Sequence, residues 1–115
     1  MQNLADFNES ARQSAEPIQL RNATADDFPA VMEVEAEWPE GQRATVEKFR
    51  SRLSRFPQGF FVALIDERIV GISTSCVVRY DPQHLDRFSS WGAVTNDGYL
   101  PEPGTVKEPN ALYIV

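Results

Sequence analysis

The chain has one cysteine, Cys76, and one histidine, His84. A lone cysteine excludes an internal disulfide and any multi-cysteine metal site, and a lone histidine excludes the usual two-histidine metal motifs. No metal is therefore expected, and the sparing use of cysteine points to a reducing cytoplasm. Positive charge is also scarce. Eleven Lys and Arg stand against 17 Asp and Glu, a formal net charge of −6. That balance argues against a nucleic-acid partner, because phosphate draws net positive surface. No apolar run reaches the roughly 20 residues a membrane helix needs, so no membrane partner is expected. Residues 1–16 carry neither the apolar core nor the basic leader of a signal peptide.

What is present suits one small folded domain: 115 residues, 42% hydrophobic and 24% charged. Residues 1–16 are polar, with Leu4 and Phe7 the large apolar groups, and are expected to form a flexible leader ahead of a domain spanning 17–115. Ile18-Gln19-Leu20-Arg21 alternates apolar and polar as a half-buried strand does. Thr24 then caps a helix, with Asp26 and Asp27 at the positive end of its dipole. Phe28, Val31, Val34 and Trp38 form its apolar stripe, with Glu35 at the border, and Pro39 and Gly41 stop it.

A second helix is expected from about Thr45 to Phe56, buried through Val46, Phe49, Leu53 and Phe56. Residues 43–56 hold five basic side chains (Arg43, Lys48, Arg50, Arg52, Arg55) and one acidic one. The plain expectation is a solvated basic face lying near the acidic first helix. Phe60 to Ile65 is a run of strand formers, Asp66-Glu67-Arg68 a break of hairpin length, and Ile69 to Val78 a second, longer strand antiparallel to the first. Gly71 within that strand suggests a bulge. Asp81 and Pro82 suit the start of a short helix with Leu85, Phe88 and Trp91 on its buried side. Asn96 to Tyr99 reads as a turn and Leu100 to Asn110 as irregular chain. The connection from 80 to 110 is long for a compact domain, and such loops often serve function. Ala111 to Val115 is a further strand.

The order strand, helix, helix, strand, strand, long loop, strand resembles the first half of a GNAT (Gcn5-related) N-acetyltransferase. The resemblance covers roughly 17–115. It rests on IQLRNATADDFPAVMEVE as first strand and helix, GFFVALIDERIVGISTS as second and third strands, and ALYIV as the start of the fourth. It implies an α+β fold with a mixed, mainly antiparallel sheet and helices packed on it. It also implies transfer of an acetyl group from acetyl-CoA to a primary amine of a small molecule or a protein. The family's Arg/Gln-x-x-Gly-x-Gly/Ala loop, whose backbone amides at a helix start hold the cofactor pyrophosphate, has no counterpart among these residues. The expectation is a partial acetyltransferase chain, inactive alone. The alternative is a non-catalytic interaction module that pairs through its exposed last strand, as a homodimer or with a partner that completes the sheet.

In the resembled family the fourth strand lines the thioester, often through its backbone, which makes Tyr113, Ile114 and Val115 the candidate cofactor contacts. Ordinary sheet core is the plainer role for their side chains. The amine usually approaches between the first two helices and the long loops, so the substrate-binding candidates are Glu35, Trp38, Tyr80 and Trp91. Glu35 would attract a cation better than Glu37, although an exposed helix glutamate is the commoner case. Trp38 is more often a core anchor than a ligand platform. His84 and Tyr99 lie near the same loop, His84 more simply on the surface. Cys76 is most simply a small buried group. No catalytic residue is assigned.

Overall fold

The computed structural model describes residues 17–115, and the leader expected over 1–16 lies outside the described residues. Strand β1 (Gln19–Asn22) leads through a 3-10 turn (Ala25–Asp27) into helix α1 (Phe28–Glu35). Asp27 locks this junction. Its Oδ2 accepts from the Thr24 amide at 2.8 Å, and both its oxygens accept from the Arg21 guanidinium, at 2.7 and 2.9 Å. Helix α1 ends at Glu35, earlier than the apolar stripe suggested. Trp38 follows in a turn and is 57% exposed, so it is not the core anchor its spacing allowed.

Helix α2 (Val46–Arg55) starts where Thr45 Oγ1 accepts from the Lys48 amide at 3.3 Å. Strands β2 (Phe61–Ile65) and β3 (Arg68–Ser73) form a two-residue hairpin through Asp66 and Glu67. Both turn residues have positive φ, 50° and 63°, the geometry that matches the twist of the flanking strands. The ladder β1-β2-β3 is antiparallel throughout, with a bulge where Ala63 pairs with Gly71 but Leu64 with Ile69. Phe49, Phe60, Val31, Val62, Leu64 and Ala23 make the core between this sheet and the helices. Phe49 and Phe60 meet in a tilted ring contact at 5.8 Å. The far side of the sheet leaves Leu20 and Phe61 exposed.

The single strand expected over 69–78 is two. Thr74 interrupts it. The chain resumes as β4 (Ser75–Val78), which pairs antiparallel with β5 (Ala111–Ile114) in a separate two-stranded sheet. The Thr74 carbonyl accepts from the Val115 amide at 2.9 Å, so the last strand takes over where the β2 ladder stops. Every strand pairing among the described residues is antiparallel. A second core of Cys76, Val78, Val94 and Leu100 lies on one face of the β4–β5 pair, with Tyr113 packed against it.

The 80–110 connection is ordered differently from expectation. Asp81 does cap a helical start, accepting from the Gln83 amide at 2.9 Å. That start is only 3-10 (Pro82–Phe88) and is kinked at His84, which leaves Leu85 exposed. A short helix α3 (Trp91–Thr95) follows, capped by Ser90 Oγ, which accepts from the Ala93 amide at 3.0 Å. It ends in left-handed residues Asn96, Asp97 and Gly98.

Candidate functional site

The two sheets part at Thr74, and a cavity of about 690 Å3 lies beside the parting. Its walls come from the end of α1 and the segment after it (Glu35, Trp38, Arg43), from α2 (Lys48, Phe49, Arg52), from the end of β3 (Ile72, Ser73, Thr74), from α3 (Trp91), and from β5 and the residue after it (Ile114, Val115). That volume is in the usual range for a small-ligand pocket.

Glu35 is 7% exposed, not the surface glutamate that helix position favoured. Its Oε2 accepts from the Ala44 amide at 2.9 Å, which fixes the α1–α2 connection across the cavity wall. Arg43 braces the same connection. Its Nε donates to the Trp38 carbonyl at 2.8 Å and its Nη2 to the Ala36 carbonyl at 2.9 Å, two carbonyls of the segment that follows α1.

Arg52 corrects the expectation of a wholly solvated basic face: it is 5% exposed. Its Nε donates to the Gly98 carbonyl at 2.7 Å and its Nη1 to Thr74 Oγ1 at 3.2 Å, while its guanidinium stands 5.0 Å over the Phe49 ring. Burial pulls its pKa below the usual arginine value, and the charge of Glu35 opposes that shift. The group stays protonated all the same, since arginine does not lose its charge in proteins. Ser51 Oγ donates to the Tyr99 carbonyl, and Arg55 donates to that of Leu100. One face of α2 therefore grips three consecutive carbonyls, of residues 98 to 100. Gly98 makes that approach feasible. Its φ is +85°, and a Cβ there would stand 2.8 Å from Trp91 Cη2 and 2.9 Å from Arg52 Nη2.

Of the residues expected at a site, Glu35, Trp38, Trp91, Ile114 and Val115 line this one cavity. Tyr113 and Tyr80 stand elsewhere. Tyr113 faces the second core opposite Cys76, and Tyr80 leans on Phe88 at 5.9 Å between ring centres. His84 is exposed and its Nδ1 lies 2.8 Å from Asp81 Oδ2, away from the cavity. Cys76 is buried, which pushes its thiol pKa up, with Arg52 opposing. Arg52, Thr74 and Lys48 are cavity residues that sequence reasoning did not single out. The available signal was the placing of Lys48, Arg52 and Arg55 at three- and four-residue steps beside the apolar Phe49 and Phe56. No group of three or more His, Cys, Asp or Glu among the described residues could hold a metal. No helix among them is long and apolar enough to cross a membrane.

Comparison with known proteins gives this architecture a place: the fold is GNAT-like, α+β with antiparallel sheets. The chain is 28% identical over 107 residues to the uncharacterized N-acetyltransferase YkwB of Bacillus subtilis (strain 168), covering 87% of this chain and 45% of that protein. Among solved structures, the loading GNATL domain of CurA from Lyngbya majuscula matches with a TM-score of 0.54 at 27% identity. That match covers 61% of this chain and 35% of the other. The chain thus spans less than half the length of both. No protein-family model matches it.

Proposed function

We propose that the chain is the acceptor-binding portion of a cytoplasmic N-acetyltransferase that moves the acetyl group of acetyl-CoA to a primary amine. The observation that carries this reading is the cavity at the parting of the sheets, where a buried carboxylate (Glu35) and the end of β5 face one space. The amine must arrive, give up its proton, and meet a polarised carbonyl. Glu35 attracts the ammonium form to the cavity. Trp38 and Trp91 flank the bound acceptor. The backbone of Tyr113, Ile114 and Val115 forms the edge beside which the thioester lies, and acetyl-CoA itself supplies the activated acetyl group. In the step, the ammonium first loses one proton to water, the neutral amine nitrogen bonds to the acetyl carbon, the carbon–sulfur bond breaks, and the second N–H proton leaves with CoA as its thiol. The described residues fit the acceptor side. They offer no run of free amides at a long helix start for the CoA pyrophosphate, so no role toward that group is assigned to them.

The test is release of free CoA when the native gene product is incubated with acetyl-CoA and a panel of amines. Turnover on any amine supports the reading. No turnover together with no CoA binding overturns it.

One observation favours a second reading, an interaction module. Among the described residues β5 pairs only with β4, and Leu112 and Ile114 are strongly exposed. A free strand edge of this kind templates pairing with another chain. This reading predicts a stable oligomer of the 115-residue chain that ignores CoA, and a monomer in solution removes it.

A further inference from the structure

The charges in the cavity are not those of a plain amine site. Glu35 is its one acidic lining residue, and Arg43, Lys48 and Arg52 are basic, in a chain whose overall balance is acidic. The three cations are not equivalent. Arg43 donates to the carbonyls of Ala36 and Trp38, and Arg52 to Gly98 and Thr74. Lys48 is half-buried with its ammonium 5.6 Å over the Tyr99 ring, and no carboxylate among the described residues pairs with it. Nor does Glu35 form an ion pair among the described residues; one of its oxygens serves the Ala44 amide.

A cation without further charge would gain from Glu35 and lose to the half-buried Lys48 and the buried Arg52 beside it. A ligand with an ammonium and a carboxylate answers both sides. We infer that the cavity takes an acceptor of the amino-acid class, its ammonium toward Glu35 and its carboxylate toward Lys48. Arg52 adds long-range attraction for the carboxylate. This inference rests on the acetyltransferase reading for the word acceptor, but its binding chemistry stands on the cavity alone.

The two tryptophans of the chain, Trp38 and Trp91, both line the cavity, so intrinsic fluorescence reports on it directly. The experiment is a titration of the protein, without acetyl-CoA, with each standard amino acid and with its carboxamide, which keeps the size and the ammonium and removes the negative charge. At least one acid is expected to bind about tenfold tighter than its amide, the scale of one partly buried charge contact. Lys48→Gln should shrink that gap to about twofold without weakening the amide, and Lys48→Arg should restore it. The acid–amide comparison on the unaltered protein keeps the test decisive if a variant fails to fold. Binding of no amino acid, or amides bound as tightly as acids, overturns the inference. CoA release is read separately. Acid-selective binding with neither turnover nor CoA binding by the native gene product removes the acetyltransferase reading and leaves this one. Turnover on simple amines without acid preference does the reverse.

Discussion

Arg52 Nη1 donates to Thr74 Oγ1 at 3.2 Å, which ties helix α2 to the residue where the two sheets part. Thr74 is itself buried, and its carbonyl receives the Val115 amide. The cavity is therefore shaped by a hydrogen-bonded node rather than by apolar packing alone. Three segments far apart in sequence meet there: α2, the β3–β4 break, and the 98–100 turn.

Arg52→Met keeps the stem and removes the donors. It leaves the Gly98 carbonyl short of its buried partner and should cost about 2–4 kcal/mol. Urea denaturation followed by circular dichroism reads this. A loss below about 0.5 kcal/mol, the size of an ordinary surface change, would show that the node contributes nothing.

Gly98→Ala meets two obstacles at once, the positive φ and the close approach of Trp91 and Arg52. Destabilisation of about 1–3 kcal/mol is expected, from strain at a left-handed position plus the steric shift. A second readout is the emission of Trp91, which should change because its ring must move. Unaltered stability and emission together would contradict the close approach.

Glu35→Gln keeps an oxygen for the Ala44 amide, whereas Glu35→Ala leaves that amide without its acceptor. The alanine variant should lose about 1–3 kcal/mol and the glutamine variant less. Both should lose affinity for ammonium-bearing ligands. Equal stability of the two variants would count against the role of Glu35 in holding the α1–α2 connection.

Asp27 carries the clearest pH dependence. Hydrogen bonding from Arg21 holds its carboxyl down from 3.8 to about 2, with help from the Thr24 amide and against the pull of burial. Folding lowers this pKa, so the unfolded chain binds the proton more readily. The stabilisation is complete above pH 3.8 and is lost as pH falls toward 2. Stability measured between pH 6 and about 2 should fall less steeply in Asp27→Asn than in the unaltered protein. Parallel curves would show that the Arg21 pair does not carry this dependence.

Much of the fold was legible because local signals agreed. Asp66-Glu67-Arg68 reads as a hairpin break; Asp66 and Glu67 form the two-residue turn and Arg68 opens β3. Gly71 marks the bulge, and Phe49, Leu53 and Phe56 of the helix stripe pack against the two cores. The break at Thr74 was not legible. No proline or turn pair interrupts residues 69–78, and it is the tertiary choice of partner, β2 for one half and β5 for the other, that divides them. The burial of Arg52 was hidden for a related reason. Charge on a helix predicts solvent until a segment elsewhere offers carbonyls, and those carbonyls come from a turn 46 residues later. Glu35, at the border of the stripe, and Trp38, within it, are candidates through the family resemblance, which brings the amine between the first two helices and the long loops. The exchange of roles, with the carboxylate buried and the indole exposed, follows from α1 ending at Glu35.

The most direct test of the central claim is CoA release by the native gene product with acetyl-CoA and an amine panel that includes amino acids, run beside its Glu35→Gln variant. Acetyl transfer to at least one amine is expected, with kcat/KM reduced by about tenfold or more in the variant, the scale of one charge-assisted contact. No acetyl transfer to any amine, together with no binding of CoA, would contradict it.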